Sequence, residues 1–81
     1  MEAKPKEDLI PNKVIGMTVK QGMTPIQAWR EYLGLTQAEV ASRLDISQGV
    51  FAEIEASEEP QRSVLAWVAA VLGLSVDQLD F

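Results

Sequence analysis

Apolar residues recur along most of this chain at the spacing of one helix face, broken by short polar punctuation. From Ser63 onward Val64, Leu65, Trp67, Val68, Val71 and Leu72 form the broad stripe of a core-facing helix, and Gly73 ends it. Upstream, Leu35-Thr36-Gln37-Ala38-Glu39-Val40 opens a helix by local rules. Thr36 can cap by accepting from the Glu39 amide, Glu39 can reach back to complete a capping box, and Leu35 faces Val40 as a hydrophobic staple. Asp45-Ile46 breaks that helix, and Ser47 caps the next, with Ile46 and Phe51 as a second staple. The pattern therefore predicts helices over 37–44 and 48–56 joined by a tight turn.

Three weaker segments complete the reading. Thr24-Pro25 opens a helix with a cap, a proline at the first helical position and Gln27 in place for a capping box; Ile26, Trp29 and Leu33 share one face, and Gly34 closes it. Ile10, Val14, Ile15, Met17 and Val19 mark an earlier element between Pro11-Asn12 and Gln21-Gly22, read as a helix despite Gly16 in its interior. Ser75, with Gln78 three residues on, starts a last short turn. The fold class expected is all-α: a compact bundle of about five short helices with an N-terminal helical extension. Its parts are a mobile charged tail at 1–8, the extension at 9–22 and one domain at 23–81.

Eighty-one residues leave room for one core, and the absence of cysteine and histidine removes disulfides and the usual zinc ligands. Stability must come from helix packing or a partner subunit. No glycine-rich phosphate loop and no calcium-loop spacing occurs, so the residues imply neither an enzyme nor a cofactor. No apolar run reaches the roughly 18 residues of a membrane span. The first eight residues lack the apolar stretch of a signal peptide, and a cytoplasmic location is expected.

Charge complicates the picture. The chain carries a net −5. Residues 1–24 set four lysines against three carboxylates, while residues 25–81 set Arg30, Arg43 and Arg62 against nine carboxylates, a net of −6. Nucleic-acid binders usually show a basic face.

The Leu35-Thr36-Gln37 opening, Ala41, the Ile46-Ser47-Gln48 entry, Ile54-Glu55, Pro60 and the closing Leu72-Gly73-Leu74-Ser75-Val76-Asp77-Gln78-Leu79 together resemble the helix-turn-helix domains of the Cro and lambda-repressor type, the XRE family. The resemblance covers the chain from about Thr24 to the C-terminus and implies that 48–56 is a recognition helix entering the DNA major groove. It also implies paired roles for the glutamines opening the two helices: Gln37 anchors a phosphate and Gln48 reads a base. Two features depart from the family pattern: Asp45 stands where many members have glycine, and the Glu55–Pro60 loop is shorter by a residue and lacks the usual glycine and basic residues. The stretch from Ile10-Pro11 through Gly34 resembles, more specifically, XRE-type antitoxins of toxin-antitoxin pairs.

The candidate DNA-facing set is Thr36, Gln37, Arg43, Ser47, Gln48, Gly49, Val50, Ala52 and Glu53. Gln48 can pair bidentately with adenine, Gly49 and Ala52 permit close approach, Val50 can meet a thymine methyl or pack inward, and Glu53 can accept only from cytosine N4. Arg43 is a phosphate candidate or an ordinary solvated residue. Phe51 and Ile54 are assigned to the core, Trp29 and Trp67 to the core by default with a subunit interface as the alternative, and Arg30 to a pair with Glu39 or another nearby carboxylate. Glu53, Glu55, Glu58 and Glu59 read equally as a solvated acidic patch. Two functions fit: a homodimeric repressor on a double-stranded operator, as in an antitoxin that also neutralises a basic toxin, or an acidic protein-interaction module without DNA binding. The dimer surface is expected at Ile10, Val14, Ile15 and Val19, whose apolar side has no obvious place in the compact helix-turn-helix unit, in preference to Val76, Leu79 and Phe81.

Overall fold

The computed structural model describes residues 10–81; the tail expected over 1–8 lies outside the described residues. Six helices follow one another: α1 (Asn12–Gln21), α2 (Pro25–Tyr32), α3 (Gln37–Leu44), α4 (Gln48–Ala56), α5 (Arg62–Leu72) and α6 (Val76–Leu79), with no strand among the described residues. Their starts follow the side-chain chemistry. Thr24 accepts from the Gln27 amide, Thr36 from Glu39, and Ser47 from Val50, each relieving an amide that the first helical turn leaves without a partner. The Thr36–Glu39 and Ser75–Gln78 capping boxes are both present. At α2 the box is absent, because the Gln27 side chain reaches forward one turn and donates to Glu31 at 3.1 Å.

Three of the helices end on a left-handed residue. Gly22 and Gly73 take that conformation after α1 and α5, and Asp45 takes it after α3 with φ 61° and ψ 43°. Asp adopts this region at modest cost, since its short side chain bonds locally. The Asp45 turn ends α3 abruptly enough for Ser47 to begin α4 two residues later.

One core joins all six elements. Phe51, Ile26, Leu79, Val14, Val40 and Val68 are its most completely buried large side chains. Helix α3 packs on α4 and α5, α1 packs on α2, and α2 also meets α4 and α6. Long-range polar bonds pin this arrangement: the Trp29 indole N–H donates to the Gln78 carbonyl at 2.7 Å, and the Thr24 hydroxyl donates to the Glu55 carbonyl at 2.5 Å.

The apolar surface differs from the expectation in three places. Ile10 and Val14 are buried in the chain's own core with Ile15 and Met17 packed against it, so α1 spends its apolar face internally and leaves only Val19 well exposed. From Val64 onward α5 is apolar all round and can bury only one side. Leu65, Val68, Ala69 and Leu72 face the core, while Trp67, expected inside, is 43% exposed. Leu33 falls beyond the end of α2, where it caps the helix and remains exposed.

Candidate nucleic-acid interface

Helices α3 and α4 present their N-terminal ends beside each other. Capping satisfies the amides of Glu39 and Val50. The first amides of each helix precede any intrahelical acceptor and stay available, carrying the partial positive charge of the helix end. Gln37 and Gln48 stand at these starts, joined side chain to side chain: the Gln48 N–H group donates to Gln37 Oε1 at 3.5 Å.

Behind the pair lies a buried polar cluster. Glu55, the penultimate residue of α4, is only 4% exposed, and among the described residues it is the one buried charged side chain. Its Oε2 accepts from Arg30 Nε at 2.5 Å, and its Oε1 accepts from Gln37 Nε2 at 2.6 Å and from Arg30 Nη2 at 3.5 Å. Arg30 also donates through Nη1 to the Leu35 carbonyl at 2.8 Å, tying the α2–α3 connection to the same centre. Both charges are thus matched and hydrogen-bonded, as a buried pair requires. Of the partners left open for Arg30, Glu39 or another nearby carboxylate, the structure selects Glu55, and one expectation is corrected: Glu55 leaves the acidic surface patch. Glu39 is occupied locally, accepting from the Thr36 amide at 2.8 Å; that bond and the bond to the Thr36 side chain hold its carboxyl below the ordinary value of 4.5.

The other expected site residues divide by face. On α4, Gln48, Gly49, Val50 and Glu53 are exposed while Ala52 is half-buried, and Phe51 lies beneath them with no exposure. Ile54, expected in the core, is only partly buried. Nothing lies within 4 Å of where a Gly49 Cβ would stand, so the free protein itself places no demand for glycine there. Thr36, Arg43 and Ser47 are exposed, and Gln37 is half-buried because its amide turns inward. Sequence reasoning missed Glu55 and Arg30. The available signal was spacing, since Glu55 lies seven residues after Gln48 on the face that also carries Phe51.

A family model described as a helix-turn-helix domain matches residues 26–81. The chain belongs to the helix-turn-helix domain family. The matched region of this helix-turn-helix domain starts within α2 and includes all of α3 to α6, so the paired glutamines and the Arg30–Glu55 centre lie inside it. No curated protein and no solved structure matches the chain significantly. No helix among the described residues is long and apolar enough to cross a membrane.

Proposed function

We infer that this chain is a sequence-specific DNA-binding regulator that represses a promoter as a homodimer, with α4 lying in the major groove. The observation that carries the reading is the exposed Gln48 at the start of α4, flanked by Gly49 and Val50 and held by Gln37 at the start of α3. A bidentate glutamine–adenine pair discriminates by about 1–3 kcal/mol, and the bare helix start around Gly49 permits the approach it needs. Phosphates are held by the open amides of the α3 and α4 N-termini and by Arg43. Gln37 contributes its second N–H, the first being committed to Glu55. A regulator of this kind works in the cytoplasm, beside the chromosome.

Two copies make the two half-site contacts that one short recognition helix cannot supply alone. The outer side of α5 supports this reading. From Ser63 to Gly73 the chain has no charged residue, and Trp67, Ala66 and Ala70 are exposed there. On a chain of net −5, an uncharged strip is where a second copy meets the least repulsion.

Selection from a random duplex pool, followed by titration of variants, tests the DNA role. Gln48→Ala should lose about 1–3 kcal/mol on the selected sequence and almost nothing on random DNA, whereas Arg43→Ala should weaken both alike and reduce the salt dependence. Failure of the wild-type chain to enrich any sequence would overturn the assignment. A second reading draws on the exposed Glu53, Glu58 and Glu59 beside a groove lined by Val50, Ile54, Pro60 and Val64. This acidic rim suits a basic protein, such as the toxin that an antitoxin neutralises. Capture of such a partner by a chain that binds no DNA would favour an interaction module.

A further inference from the structure

Glu55 cannot touch DNA, yet it sits where the orientation of the reading pair is decided. Building on the DNA-binding reading, we propose that Glu55 is a positioning residue that sets base preference: its carboxylate fixes which end of the Gln37 amide faces inward, and through Gln37 which end of the Gln48 amide faces the groove.

Donor and acceptor chemistry decides both orientations. A carboxylate only accepts, so the group of Gln37 lying 2.6 Å from Glu55 Oε1 must be its NH2. The reverse orientation would press two acceptor oxygens together in a buried place, leaving both unsatisfied. Gln37 Oε1 therefore points toward the surface, where it accepts from Gln48 Nε2 at 3.5 Å. Gln48 is left with one N–H and its whole Oε1, a donor beside an acceptor. Adenine offers the complement in the major groove, N7 as acceptor and N6 as donor. Arg30 holds the Glu55 carboxylate from the far side through Nε and Nη2, and its own Nη1 is anchored on the Leu35 carbonyl, so the first link of the chain has little freedom to turn.

The same logic states what a neutral isostere would do. In Glu55→Gln the Arg30 guanidinium, which only donates, takes the new amide oxygen and leaves its NH2 facing Gln37. Gln37 must then turn its oxygen inward and its NH2 outward. Gln48 answers with its oxygen toward Gln37, and its two N–H groups face the groove. Two donors suit an edge with two acceptors, which is guanine with N7 and O6. A substitution out of reach of DNA thus redirects preference from adenine toward guanine at the position that Gln48 reads.

The test is selection from a randomised duplex pool with the wild type, Glu55→Gln and Gln37→Met, with the Gln48 position identified as the one whose preference disappears in Gln48→Ala. The expected result is adenine for the wild type and, for Glu55→Gln, a fall of about tenfold or more in adenine preference with guanine gaining. Gln37→Met, which keeps the Arg30–Glu55 pair and removes the link, should relax adenine preference with no gain of guanine. A folded Glu55→Gln protein that keeps the wild-type preference overturns the proposal while leaving the DNA reading intact. If Glu55→Gln does not fold, Gln37→Met decides alone: unchanged adenine preference overturns the proposal, and relaxed preference supports it. A wild-type chain that enriches no sequence overturns the DNA reading and this proposal together.

Discussion

The contrast between Phe51 and Trp67 gives the sharpest check on the packing. Both are large aromatic residues on helices, but Phe51 has no exposure and Trp67 is 43% exposed. Phe51→Ala removes a fully buried ring from the core cluster to which Val40, Leu44 and Val68 also belong, and the loss of transfer energy plus the cavity left behind costs about 3–5 kcal/mol. A domain of 81 residues at about 0.05–0.15 kcal/mol per residue has only about 4–12 kcal/mol in total. The variant should therefore be largely unfolded at 37 °C or melt far below the wild type. Trp67→Ala opens no enclosed cavity, since one side of the indole already meets solvent. Its cost is the apolar area covered by the neighbouring turns of α5, about 1–2 kcal/mol. At roughly 4–8 °C per kcal/mol for a domain of this size, that is a drop of about 4–16 °C.

Urea titration followed by far-UV circular dichroism measures both, and protein concentration separates a further effect. If the Trp67 face meets a second copy, wild-type stability rises with concentration by mass action, and Trp67→Ala abolishes that dependence. Light scattering on Trp67→Lys should then report a monomer. A Trp67→Ala variant as damaged as Phe51→Ala in dilute solution would put Trp67 in the core and refute the α5 facing described above. A Phe51→Ala variant with wild-type stability would refute the placement of α4.

Gly49→Ala should raise the melting temperature, because alanine is the better helix former by up to about 1 kcal/mol and its Cβ meets open space, while weakening binding to the selected sequence by crowding the groove. Tighter binding by this variant would argue against close approach at that point. Glu39, whose carboxyl is held low by its bonds to Thr36, contributes stability that is present above its unfolded pKa and is lost as pH falls through the folded value. Glu39→Gln, which keeps the capping geometry without the charge, should flatten the fall of melting temperature below about pH 4.5; an unchanged slope would assign the acid sensitivity to other carboxylates.

What the sequence makes legible here is local. Thr24, Thr36, Ser47 and Ser75 announce helix starts because capping is decided within four residues, and the bounds of α3 and α4 follow from it. Asp45 as a turn residue is legible for the same reason. The missing capping box at Gln27 is a local miss, but the polar pairs that shape the site involve partners distant in sequence. Arg30 and Glu55 are 25 residues apart, and Trp29 and Gln78 are 49 apart. Spacing cannot rank Glu39 against Glu55 as the mate of Arg30; only the capping box hinted that Glu39 was already engaged. Trp67 shows a different limit. In a helix apolar on every side, periodicity has no polar face to reveal which stripe is inward.

The same distinction resolves the conflict between motif and charge. A sum over residues 25–81 gives −6, but a sum weighs buried and remote groups as though they faced the ligand. Glu55 is enclosed and matched by Arg30, and Asp77 and Asp80 are bridged by Arg62 across α5 and α6. The exposed charges carried by α3 and α4 themselves are Glu39, Arg43 and Glu53, alongside the partial positive charge of the two helix starts. A weak local field of this kind draws little from counterion release, so affinity must come from base contacts and from two-fold repetition more than from nonspecific attraction. On the proposed dimeric reading, that predicts a shallow dependence of binding on salt, measured by titrating the selected duplex at increasing ionic strength. A steep slope, equivalent to many phosphate contacts, would mean that basic residues such as Lys13 and Lys20 of α1 reach the DNA, and the interface would have to be extended to that helix.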